Sequence, residues 1–311
     1  MRRSQIIKLI ISISLLYFAF RTVDLQSLLE VFSHTVIWII VVGYVFDQLL
    51  VVVQTFRWRY ILYALQIKPT IRSLIKVNYI GHFFNFFLPT TMGGDVMRYL
   101  EISSSTTKKT ELLSSIIIER FMGIFSLIFM SLLLSLINIS LVEPQFYKYL
   151  YFIGFLFLLM CVFVFIPSPA HRDVTVKYIG RIINKLFHVW DSFSIIGNNR
   201  KLFIKTFLLS AVVQGGGIGV IYLFSLALGL SIPFSVFMLF TALIILMSLI
   251  PVSICGIGVR ETGFLFFFSQ LGIGSNVILS LSLLTFSRLF ILGLVGGGIY
   301  TAQNLKKCQK N

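Results

Sequence analysis

The 311-residue chain is 57% hydrophobic and only 12% charged, with a mean hydropathy of +0.95. This excludes an ordinary soluble domain, in which about 25% of residues are charged. A net charge of +15 would suit nucleic acid in a soluble protein, but Lys and Arg here crowd between apolar runs, as in cytoplasmic loops, so nucleic acid is not expected as a partner.

A helix needs about 20 apolar residues to cross the hydrocarbon core. In chain order, full spans are expected over roughly 5–21, 35–56, 111–137, 148–166, 206–230 and 276–301. The first follows a basic start like that of a signal peptide, but no small-residue cleavage site comes after its apolar core, so it reads as a retained span. Two further runs, about 77–92 and 235–254, end in Pro/Gly-rich breaks and then in charge. They read as re-entrant or discontinuous segments, which survive at membrane depth only inside protein or beside a watery cavity. The expected fold is all-α: a polytopic membrane bundle of about six full spans plus two re-entrant or broken segments in an inverted-repeat arrangement.

The whole chain, 1–311, reads as one integral membrane domain. Its first half, 1–166, holds re-entrant segment 77–98, and its second half, 206–311, holds re-entrant segment 235–261. Between them lies a basic cytoplasmic loop, 167–205. There Val176, Ile179, Ile183, Leu186, Trp190 and Phe193 recur at helical spacing, with Lys177, Arg181 and Lys185 off the stripe. Such an amphipathic helix rests either on the anionic inner leaflet or against the underside of the bundle.

If both odd segments return to their side of entry, the termini are cytoplasmic. Of the 26 Lys and Arg, 21 then fall inside, Arg57 and Arg59 among them. Only Arg21, Lys148 and Arg260 fall outside. This asymmetry predicts a multi-pass protein of the cell membrane with both termini in the cytoplasm.

The two breaks share a chemistry. In LPTTMGGDVMR, Pro89 is followed by Gly93, Gly94, Asp95 and Arg98. In IPVSICGIGVRE, Pro251 is followed by Gly256, Gly258, Arg260 and Glu261. Each precedes a span carrying an arginine, Arg120 or Arg288. Paired breaks entering from opposite faces are the trace of an inverted repeat whose interrupted segments meet near the midplane at a binding site. The segments restarting after Gly94 and Gly258 are also candidates to present helix N-termini to an anion.

Charge inside a span costs about 2.5–3.5 kcal/mol, so Asp47, Asp95, Glu119, Glu261, Arg98, Arg120, Arg260 and Arg288 must pair or face water. Gly43, Asp47, Leu50 and Gln54 form one inward stripe, and Ser115, Glu119, Met122 and Ser126 another. Glu119 and Arg120 are about 100° apart on a helix, so each must reach another segment. Pairing that only holds the bundle together is one reading. The other is a phosphate site, since the planar guanidinium fork suits that anion. His82 fits either an interior or a site position.

The blocks LPTTMGGDVMRYL, SSIIIERFMGI and IPVSICGIGVRETG, together and in order, resemble the lysylphosphatidylglycerol synthase transmembrane (flippase) family over nearly the whole chain. That family covers the membrane half of bacterial aminoacyl-phosphatidylglycerol synthase/flippases and many stand-alone relatives, some linked to polyprenyl-lipid glycosylation. The resemblance implies that Gly93, Gly94, Asp95, Arg98, Glu119, Arg120, Gly256, Gly258, Arg260 and Glu261 form the core of a lipid pathway. Fused members add a soluble aminoacyl-transferase domain. These residues hold none, so a synthase is not expected.

The function expected is therefore a lipid translocase. Its substrate would be a phospholipid, an aminoacyl-phospholipid or a polyprenyl-phosphate-linked lipid. Arg98 and Arg120 would take the phosphate from the inner side, Arg260 and Arg288 from the outer. Asp47, Asp95, Glu119 and Glu261 would balance the empty site or couple protons. No cofactor or metal is expected. Cys161, Cys255 and Cys308 are scattered, the four His are isolated, and neither a phosphate-binding loop nor H-E-x-x-H occurs. The alternatives are an integral-membrane enzyme acting on lipid phosphates or glycolipids, and a non-catalytic partner of a separate transferase.

Overall fold

The structure, a computed structural model, describes residues 35–87, 92–141, 144–165, 199–249 and 256–308, together with residues 14, 17, 31–33, 191–193, 195 and 197. The expected span at 5–21 apart from residues 14 and 17, both break prolines, Pro89 and Pro251, and the part of the loop helix at 176–190 lie outside the described residues.

Among the described residues there is no strand, and five helices are long and apolar enough to cross a membrane. They are α1 (Ile37–Ala64), α4 (Lys109–Ile137), α5 (Tyr147–Phe165), α6 (Arg200–Ala227) and α9 (Ser275–Cys308). At 1.5 Å per residue the 28-residue α1 is about 42 Å long, enough to pass the hydrocarbon and emerge from it. Its end is set by Gln66, at φ +61°, after which the Ile67 N–H reaches back to the Leu62 carbonyl at 2.9 Å. At the start of α6 the Asn199 side chain accepts from the Leu202 N–H at 3.1 Å. Arg200, Lys201 and Lys205, expected in the loop, belong to that helix. Phe193, the last residue of the loop's apolar stripe, packs edge-on against Phe121 of α4 at 5.2 Å.

Two pairs of shorter helices fill the bundle. The first pair is α2 (Ile71–Phe87) and α3 (Gly93–Ser103), and the second is α7 (Phe234–Leu249) and α8 (Val259–Phe268). At 11 and 10 residues, α3 and α8 are about 15–17 Å long, which is too short to cross. Each pair folds back on itself. In the first hairpin a Cβ on Gly94 would collide with the carbonyl oxygen of Gly81, so only glycine permits that approach. In the second, Gly263 lies against Ile244.

Both hairpins lean on α9. Phe86 of α2 packs on Phe286 and Phe290 at 5.3 and 5.4 Å, Phe84 on Tyr300 at 5.2 Å, and Gln303 bonds Glu101 at the end of α3. So α2 runs antiparallel to α9 along its C-terminal half. Glu261 of α8 accepts from Ser282, and Arg260 stands over Phe286 at 5.4 Å. From there α8 runs back toward the start of α9. Phe86 near the end of α2 and Arg260 at the start of α8 therefore meet at Phe286, about 17 Å into α9.

The largest apolar core joins α4, α6, α7, α8 and α9 around Phe224, Phe237, Phe240, Phe264 and Phe268. A smaller one, with Trp58, Leu62, Leu74, Val77, Ile102, Leu112 and Ile116, secures the foot of the first hairpin to α1 and α4. Buried serines on α4, including Ser114, Ser115, Ser126, Ser131 and Ser135, keep the surfaces small where helices approach closely.

Candidate functional site

The site is built from the charged residues that the inward stripes carry. On α1, Gly43, Asp47 and Leu50 are buried, and on α4 so are Ser115, Glu119, Met122 and Ser126. Glu119 is 1% exposed and holds one arginine on each oxygen. Arg57 of α1 donates from Nη2 to Oε1 at 2.7 Å, while Arg98 of α3 donates from Nη2 to Oε2. Arg98 also pairs with Asp95 at 3.3 Å, and Arg120 of α4 donates from Nε to the other Asp95 oxygen. The five charges form one continuous chain tying α1, α3 and α4 together. Arg57 Nη1 extends it to Ser210 of α6 at 3.3 Å. Arg98 is further clamped over the Trp58 ring at 3.9 Å, and the Trp58 indole N–H donates to Ser115 at 3.1 Å.

The other two groups are separate ion pairs. Arg260 donates from Nη2 to Glu261 Oε1 at 2.5 Å, and the second Glu261 oxygen accepts the Gly258 N–H at 2.7 Å. Gly258 has φ +86°, a conformation that a side chain would strain, and this turn aims Glu261 back at its own helix end. Arg288 of α9 faces Asp47 at 3.1 Å and donates from Nη1 to the Gly217 carbonyl at 3.0 Å. The adjacent residues Glu119 and Arg120 each pair with another segment, as helix geometry required. Arg260 and Glu261, also adjacent, do pair with each other.

Between the two hairpins and helices α1, α4, α6 and α9 lies a cavity of about 680 Å³. Among the described residues four arginines line it, Arg57, Arg120, Arg260 and Arg288, with one carboxylate, Asp47, in the wall. His82, Gln54, Asn85, Gln214, Thr241, Ser248 and Thr285 add polar atoms, and Phe86, Phe264 and Phe286 add apolar surface. Such a mixture of apolar wall and convergent polar groups is the usual make-up of a ligand site.

A model of the lysylphosphatidylglycerol synthase TM region matches residues 5–297. The chain belongs to that family. Among curated proteins none matches.

In this member of the lysylphosphatidylglycerol synthase TM family, two of the three blocks behind the resemblance adjoin the hairpin turns and the third lies on α4. Gly93 and Gly94 open α3, Glu119 and Arg120 lie midway along α4, and Gly256 and Gly258 precede α8. Of the arginines expected to face a ligand, Arg120, Arg260 and Arg288 line the cavity, while Arg98 stands behind its wall. Of the carboxylates, Asp47 lines it, whereas Asp95, Glu119 and Glu261 hold arginines from behind.

Two corrections follow. Arg57, counted with the cytoplasmic charges, is 5% exposed within α1 and faces the cavity. Its signal in the sequence is the stripe Asp47, Leu50 and Gln54, which one more helical turn extends to Arg57. The helix N-termini expected to await an anion are already occupied. Asn85 accepts from the Gly94 N–H at 2.7 Å, Asp95 fills the first turn of α3, and Glu261 takes the Gly258 N–H.

Proposed function

We propose that this chain translocates a phosphate-bearing lipid between leaflets, its head group passing through the cavity while its tails stay in the bilayer. The observation that carries this reading is the wall itself: four arginines and one carboxylate among the described lining residues, in a cavity between two hairpins. Intramembrane ionisable groups mark substrate paths. The lipid is an anionic phospholipid, an aminoacyl-phospholipid or a polyprenyl-phosphate conjugate. Family membership favours lipid work in general terms. Arg57 and Arg120 serve the inner end, Arg260 and Arg288 the outer, in an inverted-repeat arrangement within the cell membrane, both termini facing the cytoplasm.

The test uses purified protein in liposomes carrying a head-group-intact, tail-labelled phospholipid, with an impermeant quencher added outside. Protein-dependent loss of inner-leaflet signal is expected. Arg120→Ala and Arg260→Ala should each slow it at least about tenfold, since each removes a charge-assisted contact of about 1.5–3 kcal/mol. Movement no faster than in protein-free vesicles would overturn the reading. Chemical conversion of the lipid in place of movement would make the chain an enzyme of lipid phosphates.

A further inference from the structure

The outer face of the α1–α6 pair carries a cluster that the cavity does not use. Arg59 of α1 donates from Nη2 to the Tyr63 hydroxyl at 2.9 Å, and its guanidinium lies 4.9 Å from the centre of that ring. Lys205 of α6 is exposed and holds its ammonium 3.7 Å from the centre of the Tyr60 ring. On α1, Tyr63 lies about 40° around the helix from Arg59 and about 60° from Tyr60, so the two cations flank one tyrosine. Arg59 follows the apolar run of α1 and Lys205 precedes that of α6, which sets both at the level of lipid head groups. Toward the middle of the bundle the same face turns apolar: Phe56, Leu49 and Val45 of α1 are exposed, as are Leu208 and Val212 of α6. Leu49 is ten residues from Arg59, about 15 Å along the axis, which is half of the hydrocarbon core.

We infer that this face holds one anionic phospholipid, with its phosphate between Arg59 and Lys205 and an acyl chain along the stripe from Phe56 to Leu49. The lipid is resident rather than cargo, because the seam behind it is closed. A Cβ on Gly43 would collide with the Phe224 ring and one on Gly216 with Leu50, and Arg57 bonds Ser210 across the seam at 3.3 Å. The site is therefore separate from the cavity and does not rest on the translocase reading. A guanidinium fork and a point-charge ammonium suit the free oxygens of a phosphodiester. The Tyr63 hydroxyl accepts from Arg59, so its own proton is left to donate to the same anion. A zwitterionic lipid would bring an ammonium against two cations, and a free phosphate has no chain to cover the apolar stripe. Two cations at the surface of an anionic leaflet correspond to about a thirtyfold preference.

The experiment photolabels full-length protein in phosphatidylcholine vesicles. One sample carries a trace of phosphatidylglycerol with a diazirine halfway along an acyl chain, and the other carries phosphatidylcholine with the same label. Adducts are assigned to residues by mass spectrometry and normalised to the label on the rest of the chain. Phosphatidylglycerol should label Leu49, Phe56 and Leu208 at least about tenfold more than phosphatidylcholine does. Arg59→Gln with Lys205→Gln should bring the two lipids to within about twofold of each other, whereas Arg59→Lys with Lys205→Arg keeps both charges and should keep the preference. Excess inorganic phosphate should not compete. Four results would overturn the inference: equal labelling by the two lipids in the parent, an unchanged preference in the double Gln variant, competition by inorganic phosphate, or adducts on the cavity residues Leu50 and Val51 in place of Leu49 and Phe56. The comparison of lipids needs no variant, so it decides the matter even where the double Gln variant misfolds. Vesicle transport, present or absent, leaves this site untouched.

Discussion

Replacing Glu119 by Gln tests whether the buried charge chain holds the bundle together. The side chain is isosteric, so packing is preserved. What changes is that Arg57 and Arg98 lose the carboxylate they share, and Gln offers one uncharged oxygen where each arginine had its own. Breaking a buried ion pair costs about 3–5 kcal/mol because the remaining charge is left without a partner. Glu119 is 1% exposed, so water cannot make good the loss. At about 2 °C per kcal/mol for a large domain, the midpoint for loss of monodisperse protein on heating in detergent should fall by about 6–10 °C. A second change sharpens the test. Glu119→Gln with Arg98→Met removes one charge of each sign, and should recover at least about half of the loss because one arginine, Arg57, rather than two, has then lost its carboxylate. A single variant melting within about 2 °C of the parent would refute the reasoning, as would a double variant less stable than the single.

Glycines on α9 divide sharply. A Cβ on Gly296 would fall on the Tyr79 carbonyl, so Gly296→Ala should abolish monodisperse expression, while Gly298, with open space around it, should accept Ala with unchanged or slightly raised stability by the same measure. Gly258→Ala forces a side chain into φ +86° and should cost about 1–2 kcal/mol, read as a lowered melting midpoint. Trp58→Phe removes the hydrogen bond to Ser115 and weakens the contact under Arg98; a loss of about 1–3 kcal/mol is expected in the same melting assay. With Cys161, Cys255 and Cys308 replaced, Ser104→Cys should react with an impermeant maleimide only from the cytoplasmic face and Ser275→Cys only from the outer face. Labelling of both from one face would overturn the opposed entry of the hairpins.

The apolar runs made α4 and α5 legible almost to the residue, because length and hydropathy alone decide a crossing. The helix ends were less so. The sequence places the first described span at 35–56, but α1 continues to Ala64, since a helix that has left the hydrocarbon keeps its hydrogen bonds without needing apolar side chains. That extension concealed Arg57. Counting basic residues cannot separate an arginine in a loop from one folded inward on the last turns of a span. Asp47 and Glu119 were readable because each shares a helical face with small or polar neighbours. The role of Arg98 was not readable, because its place behind the cavity wall is set by Trp58 and Glu119, which come from two other helices. Pairing between segments is a tertiary fact, and residue spacing within one helix carries no trace of it.

The seam between α2 and α9 has a mechanical consequence. Gly293 and Gly297 are sockets for the rings of Phe86 and Phe83, while Gly296 lies under the Tyr79 backbone. A slip of one residue along either helix would push a ring or carbonyl into a side chain where now there is only hydrogen. The first hairpin is thus keyed to α9 as a tooth is to a rack. Force applied along α9 at this seam is therefore delivered to the first hairpin with little slack.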